Sequence, residues 1–323
     1  MSMRTTPTSA PAATRTMRRA RPVARRGASV RTIEYLLGPD APMFLPGVLA
    51  GLAIALLCAP LSVLVVLKRM AFIGQGVSHA AFGGVGLAVL LGLAATQSFA
   101  LIALFCVGSA WGIALASGRR ALRADTVIGI FLVGAMALGA LLVALRSQLV
   151  PGGATPPGWE QILFGSILEV GKADAALAWV MAGATLAALW WWRRPMLFWA
   201  FDETSAEAYG VRTGAMRFLL LTLLALAVVT AMKLAGVVLA TALLVLPGAT
   251  ALRLSARLWP ALGLSLLAAL LGVMGGLVMS YELDLPPGAC IVMTQVALFV
   301  GACVVGALRS NSKTEQPRTE KRA

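Results

Sequence analysis

Histidine is almost missing from this chain of 323 residues: there is one, His79. Acids are scarce too, 13 against 27 lysines and arginines, and all charged residues together make up 12% of the sequence. A resident metal centre needs several imidazoles, thiolates or carboxylates brought together, and a soluble domain carries roughly twice this charge density. The four cysteines, Cys58, Cys106, Cys290 and Cys303, all fall in apolar runs with no CxxC spacing, so they read as small packing residues rather than disulfides or a thiolate cluster. Motifs for chemistry are also lacking. The string nearest to a nucleotide-binding P-loop, Gly165-Ser-Ile-Leu-Glu-Val-Gly-Lys-Ala173, has one residue too many and alanine where the hydroxyl belongs. No HExxH, dinucleotide fingerprint or GxSxG elbow occurs. The chain is not expected to be an enzyme or to hold a cofactor.

Apolar sequence is abundant: 59% of residues are hydrophobic. They fall in nine runs, about 44–67, 72–93, 97–117, 125–146, 173–192, 215–232, 234–254, 258–280 and 287–308. An apolar helix of about twenty residues matches the ~30 Å hydrocarbon layer of a bilayer. The expectation is an all-α polytopic membrane protein of eight or nine transmembrane helices, with one membrane domain over 44–308 and no room for a second.

The net charge of +14 sits mostly at the ends: residues 1–31 carry +8 and 309–323 carry +3, leaving +3 for the body. Residues 1–43 and 309–323 read as polar tails, the first disordered and the second cytoplasmic, suited to anionic lipid surfaces rather than nucleic acid. With nine crossings and a cytoplasmic C-terminus, Lys68, Arg69, Arg119, Arg120, Arg123, Arg193, Arg194, Arg212, Arg217, Arg253 and Arg257 lie inside, and Arg146, Lys172 and Lys233 lie outside. That arrangement puts the arginine-rich N-terminal tail on the outer side. A re-entrant second run, a later start or a targeting segment would each remove the conflict; a dispensable tail with nine runs is the expectation.

Within this body, Lys68 to Gly86 stands out. A basic pair precedes a small-residue stretch carrying Gln75 and His79, four apart and therefore on one helix face. Polar groups at membrane depth usually line a path or an interface; packing is the alternative for His79. Glycines cluster at Gly83, Gly84 and Gly86 and at Gly272, Gly275 and Gly276, which suits close helix contacts. The longest charged internal segment, Phe201 to Thr213, predicts a short amphipathic helix with Asp202 as N-cap, Glu203 and Glu207 within it and Gly210 as its stop. It is either a solvated connector or a docking knob for a soluble partner. Further on, Pro247 and Gly248 are expected to kink a span.

In these blocks the sequence resembles the membrane subunits of bacterial ABC importers for zinc, manganese or iron. The likeness rests on Lys68–Gly86 with its Ser-His-Ala, Asp125-Thr-Val-Ile-Gly-Ile130, Leu163-Phe-Gly-Ser166, and Asp202–Gly210 followed by Met232–Ala251, in that order. The resemblance implies a cobalamin-importer-like (type II) permease fold in the bacterial inner membrane. It further implies a permease homodimer, a separate cytoplasmic ATP-binding subunit that contacts Asp202–Gly210, and an extracytoplasmic metal-binding protein. Where such permeases commonly carry Asp and His one turn apart, this chain has Gln75 and His79, so an amide stands in for a carboxylate. His79 and Gln75 are the metal-transit candidates, for brief contact rather than stable binding. One imidazole and one amide do not discriminate among zinc, manganese and ferrous iron. The alternative is a proton- or sodium-coupled secondary transporter, for which His79 is the one ionisable mid-span candidate.

Overall fold

A computed structural model of the chain describes residues 41–117, 124–150, 167 and 170–314. These form eleven helices: α1 Ala41–Leu67, α2 Ala71–Leu91, α3 Ala95–Ser117, α4 Ala124–Leu149, α5 Lys172–Trp191, α6 Arg193–Phe201, α7 Glu203–Ala208, α8 Thr213–Leu243, α9 Leu246–Leu254, α10 Leu258–Leu283 and α11 Pro287–Thr314. The N-terminal tail to residue 40, the arginines at 119, 120 and 123, the Leu163–Ser166 block and residues 315–323 lie outside the described residues.

Among the described residues, eight helices are long and apolar enough to cross a membrane. One of them, Thr213–Leu254, has 42 residues, about 63 Å of helix and twice the thickness of the hydrocarbon layer. Its backbone leaves helical geometry at Gly236 (φ 82°, ψ 166°), a left-handed φ that glycine takes without a Cβ clash.

Contacts show what this long element does. Lys68, at the end of α1, meets Glu203, which marks one face of the bundle. Ser265 Oγ donates to Ala59 O at 2.8 Å, and a methyl on Gly51 would lie 3.0 Å from Val273. Thus α10 runs antiparallel to α1 and starts at the Lys68 face. Arg253 O lies 3.5 Å from where a Gly306 methyl would sit, which brings the ends of α9 and α11 to that face. On the opposite face Lys233 Nζ donates to Asp174 at 2.7 Å and Arg146 Nη1 donates to Leu90 O at 3.3 Å. The chain therefore rises through α8 to Lys233, turns at Gly236 and returns through α9. Among the described residues that makes nine crossings, one for each apolar run. The second run is no re-entrant loop but a continuous 21-residue helix.

Lys68, Arg69, Arg193, Arg194, Arg212, Arg217, Arg253 and Arg257 belong to the Lys68 face, and Arg146, Lys172 and Lys233 to the other, so the Lys68 face is cytoplasmic.

The centre of the bundle is α1, α2 and the α8–α9 limb, the most buried of the spans. Glycines permit its closest approaches. A methyl on Gly86 would sit 2.7 Å from Gly139 Cα, so α2 and α4 touch backbone to backbone. Peripheral helices expose Leu104, Leu141, Val180 and Val304, as lipid-facing surfaces do.

Candidate translocation and coupling site

The site begins at the corner between α1 and α2. Helix α1 ends in a left-handed residue, Arg69 (φ 57°). Met70 N–H reaches back to Val65 O at 2.8 Å and Arg69 N–H to Val66 O at 3.1 Å, the paired bonds of a Schellman turn. The tight turn holds Lys68 at the head of the helix that carries His79.

Gln75 and His79 stand one turn apart on α2, His79 roughly 12 Å along the helix from its cytoplasmic end. Gln75 is exposed and His79 half-buried. The His79 ring stacks on Phe82 with centroids 5.9 Å apart. Its Nδ1 is buried and has no hydrogen-bond partner among the described residues, and a buried polar atom left open in this way calls for an explanation. A neutral imidazole nitrogen is a good ligand for a transition metal. Among the described residues no three His, Cys, Asp or Glu side chains converge on a metal-sized site. Within one copy of the chain the pair can supply a passing contact, not a cage.

The cytoplasmic connector is α6–α7. Asp202 caps α7 by accepting from Ser205 N–H at 3.1 Å, and the hydroxyl and N–H of Ser205 hold the Asp202 carboxyl below its usual range. Gly210 (φ 82°) ends the segment, its N–H donating to Glu207 O at 2.9 Å. Both roles agree with the sequence. Glu203 is tied inward: Lys68 Nζ donates to Glu203 Oε2 and to Trp199 O, each at 3.0 Å, and lies 4.1 Å from the Trp199 ring centroid. Partial burial works to raise the Glu203 carboxyl, but the Lys68 hydrogen bond and charge outweigh it, and the group titrates below its ordinary range. Glu207 faces solvent. So do Phe201 and Tyr209, 61% and 81% exposed. The Tyr209 ring leans on Phe198 with centroids 5.7 Å apart.

At Pro247 and Gly248 the span is interrupted just upstream, at Leu244 and Val245. Helix α8 stops at Leu243, and Pro247 lies in the first turn of a new helix, α9, where its missing N–H costs nothing. Gly248 is a contact point rather than a hinge: its N–H is held by Ser62 Oγ, and a methyl there would lie 2.5 Å from Ser62 C and O. The reversal occurs earlier, at Gly236. Sequence reasoning also missed Lys68 as the tie to the connector, although the complementary acids of 202–207 were a signal, and it missed Trp199, which carries none.

The described residues form a polytopic helical membrane bundle with a polar pair on a central helix and a capped connector on one aqueous face. The chain belongs to the ABC 3 transport family, whose sequence profile matches residues 40–306. It is similar to a protein of Haemophilus influenzae named "Probable iron transport system membrane protein", with 31% identity over 281 residues, 85% of this chain and 98% of that protein. It is also similar to the manganese transport system membrane protein MntB of Synechocystis, with 33% identity over 252 residues, 78% of this chain and 79% of that protein. Among solved structures, PsaBC from Streptococcus pneumoniae in complex with Fab superposes with a TM-score of 0.72 at 27% identity, covering 84% of this chain and 94% of that one. Membership in an ABC transport family leaves no support for the secondary-carrier alternative.

Proposed function

We propose that this chain is the membrane-spanning subunit of an importer that moves a divalent transition metal (manganese, iron or zinc) into the bacterial cytoplasm. A separate ATPase docks on α6–α7 and an external binding protein delivers the ion. A second copy of the chain completes the path beside His79, the transit ligand, with Gln75 as its neighbour one turn away. The relatives named for manganese and iron support the cargo class. The observation that carries the reading is the Lys68 tie, which joins the exposed connector to the helix bearing His79. A stroke applied to α7 would thereby reach α2 through two hydrogen bonds and a ring contact. The chain carries no P-loop, consistent with hydrolysis in a partner.

The amide at Gln75 keeps an oxygen donor but supplies no charge against the ion, so each contact is weak. Weak contacts suit transit, since an ion must leave as readily as it enters. The test is metal uptake into vesicles holding this chain, its ATPase and the binding protein. ATP-dependent accumulation of one divalent metal is expected. Uptake that ignores ATP and follows a proton gradient would overturn the reading.

A further inference from the structure

At the cytoplasmic edge of the bundle, between α1, α5, α6 and α10, lies a cavity of about 160 Å³. Pro60, Leu64, Leu189, Met196 and Leu262 form apolar walls. The volume compares with the ~150 Å³ apolar cavities that accept a benzene-sized ligand. Two indoles flank its mouth, Trp190 and Trp259, 67% and 66% exposed. Arg193 also lines it, with the guanidinium 3.9 Å from the Trp190 ring centroid. Among the described residues no carboxylate pairs with Arg193. Helix α6 starts at this rim without a side-chain cap.

We infer that this groove is a binding site for an anionic membrane phospholipid, with an acyl segment among Leu64, Leu189 and Leu262 and the headgroup phosphate on Arg193. The level is right: α5 ends at Trp191 and α10 begins at Leu258, so the mouth sits where the hydrocarbon gives way to headgroups. Exposed tryptophans prefer that interface, and basic pockets between helices on the cytoplasmic side recognise acidic headgroups. Charge decides the occupant. An apolar pocket with an unpaired cation at its rim complements an amphiphile with an acidic head, whereas a second copy of the chain or a soluble partner would have to bring a carboxylate to membrane depth. The Arg193–Trp190 stack holds the cation in place before the lipid arrives. The site lies against α6, which leads into the connector, so an occupied groove would brace α6 against α1. None of this depends on which metal is carried.

The test is native mass spectrometry of the full chain released from nanodiscs, with dioleoyl phosphatidylglycerol and dioleoyl phosphatidylcholine as the paired probes. The wild type is expected to retain phosphatidylglycerol about fivefold over phosphatidylcholine, the preference that one interfacial cation supplies. Arg193→Gln should remove that preference. Leu189→Trp, which fills the groove, should lower retention of both lipids. Arg212→Gln, on the same face but on no wall of the groove, should behave as wild type and shows that a lost charge alone is not the cause. Equal retention of the two lipids by the wild type would overturn the inference. So would an unchanged preference in Arg193→Gln, or efficient Trp259→Cys cross-linking to a second copy across the groove.

Discussion

Lys68 holds Glu203 at 3.0 Å across 135 positions of sequence, and with the same ammonium it holds the carbonyl of Trp199. Lys68 is 12% exposed and Glu203 50%, so the ion pair itself stabilises by no more than about 1 kcal/mol. Its value is positional, because it joins the connector to the corner from which α2 starts. Lys68→Met and Glu203→Lys are each expected to reduce ATP-driven uptake by about tenfold, a typical coupling energy, with the ATPase still bound. The exchanged pair Lys68→Glu with Glu203→Lys should recover part of that loss. Pull-down of the ATPase alongside uptake separates lost docking from lost coupling.

The connector should be insensitive to pH over the physiological range. Asp202 and Glu203 both titrate below their ordinary values. A carboxyl depressed in the folded state stabilises it fully above the unfolded pKa, and that contribution is lost as pH falls through the folded pKa. Hydrogen-exchange protection of residues 203–208, corrected for intrinsic rates, should hold from neutral pH down to the ordinary carboxylate range and be lost only as pH falls below it. Asp202→Ala should show the unprotected pattern already at pH 7, since Ser205 N–H loses its acceptor.

Nine crossings can be checked by labelling single cysteines with an impermeant maleimide. Lys172→Cys should label from outside intact cells, while Arg212→Cys and Arg257→Cys should label only after permeabilisation. Were Thr213–Leu254 a single crossing, Arg257→Cys and Arg212→Cys would lie on opposite faces, and one of them would label in intact cells.

Two glycines of similar sequence setting should respond differently to an added methyl. Gly248→Ala drives a Cβ to 2.5 Å from the Ser62 backbone, which cannot rotate away as a side chain can. A loss of about 1–3 kcal/mol or a failure to assemble is expected. Gly301→Ala meets nothing within 4 Å and should leave the melting temperature unchanged. A thermal shift assay in detergent reads both.

His79→Ala should lower metal uptake about tenfold or more, the effect of losing roughly 1.4 kcal/mol of contact, with ATPase association intact. Gln75→Asp restores a carboxylate one turn from the imidazole and should tighten metal retention while slowing release. Unchanged uptake in His79→Ala at wild-type expression would remove His79 from the path.

Membrane class was legible because it follows from local composition, run length against bilayer thickness; the runs left eight or nine crossings open, and the basic residues orient sequence and structure alike. The capped connector was legible for the same reason, since Asp202, Ser205 and Gly210 act within a few residues of one another. The Lys68 tie, the Gly248–Ser62 contact and the Lys233–Asp174 clasp were not, since each joins positions 59 to 186 apart and no periodicity records which helices meet. Pro247 sits two residues past the break at Leu244 and Val245, where it has no N–H to give the preceding turn.

By itself, then, the sequence determined that this chain lives in a membrane, which face of it meets the cytoplasm, and that an imidazole and an amide share one helix face at depth. The hydrophobic effect and positive-inside bias act on composition and need no partner. Only the tertiary structure decided that the 213–254 segment turns back at Gly236, that His79 keeps an unpaired buried nitrogen, and that Lys68 carries the connector. Those depend on which backbones approach closely enough to touch, and that is settled by packing among helices far apart in sequence.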